Sequence, residues 1–361
     1  MAYKVKYRHY DTSYGVASLL FVANALGFII AALFIGGTTD RLGYAKTFAL
    51  CQLIIAVGHA PLSWAAPFPV LIPSFFLMGS GGSFALTLSN VFCGSLRSTG
   101  ISSLAAVNGA YGVGATVGPL LSSLAARTVW SRYYLLTLGL TIVSGVFVTY
   151  AFLRHEEGVK SAERPSAAGD GDQARKTKPE HVDLHGMFSA VSTRTVLLGA
   201  VFGFIYRAME VSISSGEFSS REDTTTAFWA GITAGRLLLW AAQHVDEQRL
   251  VYGSLVSAIT VESMVWVAPG IVSSWTAAGA IGLLLGPVYP CAAAVFVRSM
   301  SKHEQVSGIG VISAFASSGG AAAPFTMGMV GPAISHPVAI GLFGVMVCFW
   351  SGLPRRAKRT E

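Results

Sequence analysis

Gly36-Gly37-Thr38-Thr39-Asp40-Arg41-Leu42-Gly43-Tyr44-Ala45-Lys46 is a short polar interruption between two long apolar runs, at about 14–38 and 47–64. A bilayer core about 30 Å thick needs about 20 apolar residues to cross as a helix. The two runs therefore read as successive membrane spans joined by a tight turn. Working outward, runs of the same kind follow at about 68–93, 102–125 and 133–153. After a polar stretch come 195–215, 226–242, 250–268, 271–297, 307–330 and 333–352, which makes eleven. The composition agrees. Only 12% of the 361 residues are charged against 52% apolar, where a soluble domain carries about a quarter charged. Mean hydropathy is +0.56. A soluble enzyme, a nucleic-acid binder and a disordered chain are all excluded. The net charge of +7 suits the surplus of Lys and Arg that membrane proteins keep on the cytoplasmic side. The four cysteines, Cys51, Cys93, Cys291 and Cys348, lie in apolar runs and imply no disulfide framework. The first ten residues, MAYKVKYRHY, lack the apolar core of a cleavable signal.

Basic residues set the orientation. With the Asp40–Lys46 turn in the cytoplasm, alternation of spans puts 17 of the 25 Lys and Arg inside and six outside. Arg207 and Arg236 fall within apolar runs. Three of the outside six, Lys4, Lys6 and Arg8, sit in the N-terminal decapeptide. The segment 154–194 mixes Pro, Gly, Ser and both signs of charge. It reads as a cytoplasmic linker, with a short surface helix expected near 181–191. The expected organisation is thus a five-span half over 1–153, the linker over 154–194, a six-span half over 195–352 and a cytoplasmic tail over 353–361.

The two halves repeat each other at a shift of about 205 residues. Gly114-x3-Gly118-Pro119 matches Gly319-x3-Ala323-Pro324, Ala105 matches Gly310, and Arg97 matches Lys302. Gly36-x3-Asp40 matches Ala242-x3-Asp246 at nearly the same shift. A parallel duplication of a helical bundle explains the coincidences. The same shift carries the 195–215 run to about −10 to 10, so the first repeat is expected to lack its first helix. A bundle with that position unfilled is expected to be poorly stable and to transport little or nothing.

Two six-helix halves around a central linker, with the Gly36–Lys46 segment between two early spans, resemble the major facilitator superfamily. The Asn108–Pro119 segment resembles that superfamily's fifth-helix motif. Its wording, and that of Gly282-Leu-Leu-Leu-Gly286-Pro287-Val-Tyr-Pro290, is similar to fungal members of unassigned substrate. The resemblance runs from about Asp11 to Trp350. It implies an all-α membrane bundle of two six-helix halves, here with about eleven spans and the first missing. It also implies transport of a small solute by alternating access. Tyr44 and Ala45 depart from the basic run that usually closes the signature loop, and Ala105, Ser122 and Ser123 stand where glycine is preferred.

Gly36, Asp40, Arg41, Gly43 and Lys46 are candidate gate residues. Asp40 could latch against helix termini and basic groups, or the segment could be a plain anchored turn. Gly114, Gly118 and Pro119, with Gly319 and Pro324 in the repeat, offer faces for close helix packing, serving either as static contacts or as hinges. Ionisable groups inside spans are costly and point to function. Arg207 and Glu210 are three apart and share a helix face, as a cavity ion pair or a structural one. Arg236 reads as a contact near the cytoplasmic gate or a substrate ligand, and Glu262 as a cavity or headgroup residue. Asn24, Asn90 and Asn108 read as interhelical bonds or ligands, and His59 lies near the outer interface. Trp64, Trp130 and Trp275 mark span ends.

Secondary transport of a small organic solute leads the functional readings, as no nucleotide-binding Gly-x4-Gly-Lys-Ser/Thr loop occurs. The alternative is a membrane protein without transport activity, a receptor-like relative or a truncated product. Neither Gly-x-Ser-x-Gly nor His-Glu-x2-His appears, so no catalytic residues, metal or cofactor are expected. The expected partners are the bilayer, a small-molecule substrate and a candidate coupling proton. The chain is expected to act as a monomer, without nucleic acid, in a plasma or internal membrane.

Overall fold

The computed structural model describes residues 14–96, 100–126, 129–162, 193–214, 223–242, 246–267, 274–330 and 332–351. The described residues form α-helices only: α1 Tyr14–Ser63, α2 Phe68–Ser95, α3 Gly100–Ala126, α4 Ser131–Ala162, α5 Arg194–Ser214, α6 Asp223–Ala241, α7 Glu247–Val267, α8 Ser274–Leu285, α9 Val288–Ser299, α10 Lys302–Val330 and α11 Pro332–Ser351. By length and composition, six segments among them can cross a membrane, with α8 and α9 counted as one and the two legs of α1 as one. The helices outside that set are α3, α6, α10 and α11. The expected all-α bundle holds.

Two expectations about continuity are corrected. The Gly36–Lys46 segment is not a loop. Helix runs unbroken through Leu42, breaks at Gly43 alone (φ 78°, ψ 170°), and resumes at once, so α1 is two spans joined at a single-residue kink. That φ/ψ is open essentially only to glycine. Conversely, the 271–297 run is not one helix. Gly286 and Pro287 form a turn between α8 and α9, because proline brings no amide donor and its ring clashes with the preceding turn. At the other end of the first repeat, α4 runs on to Ala162, into the segment read as linker. Residues 163–192 of that linker with the surface helix near 181–191, the decapeptide, Arg97 and the 353–361 tail lie outside the described residues.

Two compact units divide the chain. The first takes Met1–Leu88 and Ser122–Val191, the second Ser89–Leu121 and Ser192–Glu361. In the first, α1 packs on α4 and on α2, where Ser80 and Ser83 donate to the Gly27 and Phe28 carbonyls, each at 3.2 Å. Leu20, Leu62 and Leu71 form its core with Phe68, Phe75 and Tyr134. The outer face of α4 exposes Val143, Val146 and Phe147, the last 71% exposed. A row of bare apolar side chains is what a lipid-facing helix presents.

In the second unit α5 packs on α10, α6 on α8, and α7 on α11. Glycine sets how closely α6 and α8 approach. A β-carbon at Gly231 would land on the Gly279 carbonyl oxygen, and one at Gly282 on that of Phe228. The first unit uses the same device between α1 and α2, with Gly27 against the Phe76 carbonyl and Gly79 against that of Asn24. Gly27 and Gly79 precede Gly231 and Gly282 by about the repeat shift. The duplication therefore extends to backbone contacts, where helices in lipid gain most from close packing.

Candidate functional site

Three helices of the second unit bring the charged side chains together. Helices α3 and α6 run antiparallel. Ser102 Oγ donates to the Trp240 carbonyl at 3.1 Å, Gly109 faces Leu237, and a β-carbon at Gly112 would stand 2.6 Å from Thr233 Oγ1. The small residues of α3 thus let α6 come close enough for Arg236 to reach across. Its Nη1 donates to the Asn108 carbonyl at 3.0 Å. Its guanidinium also lies 5.9 Å from the centroid of the Tyr111 ring.

From α5, Arg207 and Glu210 pair as their spacing suggests, Arg207 Nη1 on Glu210 Oε2. Glu210 uses its other oxygen, Oε1, for Arg236 Nη2 at 3.4 Å. Arg207 Nη2 donates to the Tyr111 hydroxyl at 3.1 Å. The carboxylate is 1% exposed and Arg236 3%, while Arg207 is 32% exposed. On the same helix as Arg207 and Glu210, Tyr206 donates to the Leu285 carbonyl at 3.3 Å, its ring 5.7 Å from that of Tyr289. The Tyr289 hydroxyl accepts from Asn90 Nδ2 at 3.0 Å. Four buried polar atoms find no partner among the described residues: Arg236 Nε, Asn90 Oδ1, Thr87 Oγ1 and Ser313 Oγ. Buried orphans of this kind are uncommon and call for a reason.

The candidates from sequence therefore separate. Arg207, Glu210 and Arg236 form one cluster. Glu262 belongs elsewhere, buried on α7 with Oε1 at 2.7 Å from His336 Nδ1 of α11. Asn24 lies in the first unit, its backbone against Gly79. Asp40, Arg41 and Lys46 are exposed around the Gly43 kink, with Gly36 half-buried. Among the described residues Asp40 makes no ion pair. Gly319 fits tightly against the Phe204 backbone, whereas its repeat counterpart Gly114 has nothing within 4 Å, and Gly118 is half-buried. The side chains of Pro119 and Pro324 lie outside the described residues. Sequence reasoning missed Tyr111 and His336 as partners. Tyr111 did carry a signal, as the one aromatic side chain of α3. His336 carried one in its place at the start of the last span.

Comparison with known proteins agrees with this architecture. The sequence profile described as Major Facilitator Superfamily matches residues 2–324. "Bypass of stop codon protein 6" of Saccharomyces cerevisiae is 25% identical over 92% of this chain and 72% of its own length. A "Glucose/galactose transporter" of Brucella abortus is 24% identical over 86% of this chain and 78% of its own. Among solved structures, the E. coli fucose:proton symporter FucP aligns at a TM-score of 0.74 and 12% identity, covering 98% of this chain and 95% of that one. The human organic anion transporter TETRAN aligns at 0.69 and 16%, covering 96% and 88%. With spans, repeat and fold in agreement, this chain belongs to the Major Facilitator Superfamily, as an integral, multi-pass membrane protein.

Proposed function

We propose that the protein is a secondary transporter of a small organic solute, working by alternating access. The observation that carries the reading is the Glu210 carboxylate, buried and divided between two arginines. The cluster joins a helix that precedes the linker in sequence, α3, to two that follow it, α5 and α6. Charges buried inside spans are retained where they serve a site. Contacts that tie one sequence half to the other can be made in one state of a transport cycle and released in the other. Arg207, Glu210 and Arg236 would then line the solute site. Gly36, Asp40, Arg41, Gly43 and Lys46 would flank a cytoplasmic gate around the α1 kink. Gly114, Gly118 and Pro119 with Gly319 and Pro324 would let α3 and α10 rock. The Brucella glucose/galactose transporter and the E. coli fucose:proton symporter both carry sugars, which supports a solute of about that size.

The test is counterflow in proteoliposomes, with a panel of labelled hexoses, uronates and small carboxylic acids. Saturable exchange of at least one, lost in Glu210→Gln while the variant still inserts, is the expected outcome. Exchange of none by the intact chain would defeat the reading.

A further inference from the structure

We infer that the α3–α5–α6 cluster is built for a solute with one negative charge, a carboxylate held by Arg207 and Tyr111. The inference rests on the cluster being the solute site and goes beyond it to the solute's charge.

The count of charges is the first argument. Two guanidiniums and one carboxylate meet here, and no further charged side chain among the described residues pairs with them. Glu210 has already spent both oxygens, one on each arginine. One positive charge is therefore left over, in a place where Arg236 is 3% exposed. An uncompensated charge out of water costs several kcal/mol even after relaxation. The Tyr111 ring face and the Asn108 carbonyl soften that cost but bring no full negative charge. Arg236 Nε, buried without a partner, is a second mark of a site short of acceptors.

Geometry says where the missing anion goes. Arg207 is the one member of the trio with substantial exposure, 32%. A guanidinium is not offered to hydrocarbon, so that third faces a polar cavity. Beside it stands the Tyr111 hydroxyl, on a residue half exposed. That oxygen accepts from Arg207, and its own proton meets no acceptor among the described residues. A hydroxyl has one proton to give. Arg207 N–H and Tyr111 O–H thus converge as two donors on one accessible spot, with Arg236 behind them as a fixed cation. A carboxylate suits that pair. A neutral sugar would leave the surplus charge standing.

Trp229 supplies a built-in reporter, its ring 6.4 Å from that of Tyr111. We would titrate the purified full chain, in chloride-free zwitterionic buffer, with potassium galacturonate, gluconate and benzoate. Galactose, sorbitol and benzyl alcohol serve as the matched neutral compounds, and potassium chloride is a separate arm. The expected result is saturable quenching by at least one carboxylate, absent in Trp229→Phe, with none from its neutral match. Arg207→Gln should weaken that carboxylate by about tenfold or more, since bonds to charged groups are the strong ones. Tyr111→Phe should weaken it less, and Arg207→Lys should restore part of the loss. Equal quenching by a neutral compound, quenching by chloride alone, or no quenching by any carboxylate would overturn the inference. Saturable galactose exchange in liposomes that survives Arg207→Gln would overturn it too, while leaving the transporter reading intact. Carboxylate binding without exchange of any solute would count against the transporter reading alone.

Discussion

At the scale of single residues, burial decides what an ion pair is worth. Four acidic groups meet basic partners at different depths. Glu210 is 1% exposed between two arginines, Glu262 is 4% exposed beside His336, Glu247 is 13% exposed against Arg298, and Asp246 is 54% exposed near Arg249. Removing one partner of a buried pair strands the other and costs about 3–5 kcal/mol. A half-exposed pair is worth about 1 kcal/mol or less. Glu210→Gln should therefore lower the thermal midpoint of the purified chain most, with Glu247→Gln well behind. Asp246→Asn should leave it unmoved. Thermal unfolding of the three variants in one detergent checks the order. Equal midpoints for Glu210→Gln and Asp246→Asn would show that the pair is not holding the helices. The i, i+3 spacing made the Arg207–Glu210 pair legible in the sequence, because both ends sit on one helix. Arg236 and His336 were not, since their partners arrive from helices 26 and 74 residues away, a proximity that only packing creates.

At the scale of helices, small residues govern distance. Gly27 and Gly79 in the first unit, and Gly231 and Gly282 in the second, are among the glycines packed so that any side chain would strike a neighbouring backbone. Gly253 on α7, by contrast, has nothing within 4 Å. Helix association in lipid has no hydrophobic drive between helices and depends on that close fit. Gly282→Val should force α6 and α8 apart and sharply reduce the monodisperse fraction in size-exclusion chromatography. Gly253→Val should keep it near wild type. Similar profiles for the two variants would mean that the fit is not limiting. The kink and the break in α1 and the α8–α9 segment show where the sequence misleads at this scale. A polar Gly-Thr-Asp-Arg stretch reads as a loop, yet one positive-φ glycine is enough to turn the chain. A continuous apolar run reads as one helix, yet Gly286-Pro287 interrupts it without adding a single charge. Hydropathy reports the solvent around a segment. It does not report whether the backbone stays regular.

At the scale of the whole chain, the orientation in the membrane is open to direct test. Seventeen of the 25 basic residues fall on one side if the Gly43 kink is cytoplasmic, and basic flanks are what holds loops back from crossing. Asp40, Arg41 and Lys46 cluster at that kink, all exposed, as a cytoplasmic corner would require. One span later, Trp64 stands 67% exposed at the far end of α1, beside a turn at Ala65 with φ 57°. An indole at that position suits the opposite interface. Cys51, Cys93 and Cys291 are buried and Cys348 is exposed, so a Cys348→Ala background leaves little native thiol for a reagent to find. In sealed cells carrying that background, Trp64→Cys should react with an impermeant maleimide from outside. Ser166→Cys, in the polar stretch of mixed charge between the two sequence halves, should react only after permeabilisation. Reversal of both would invert the topology and place the Asp40 corner outside. It would then move the proposed gate to the opposite face while leaving the arginine cluster, and every test of it, where it is.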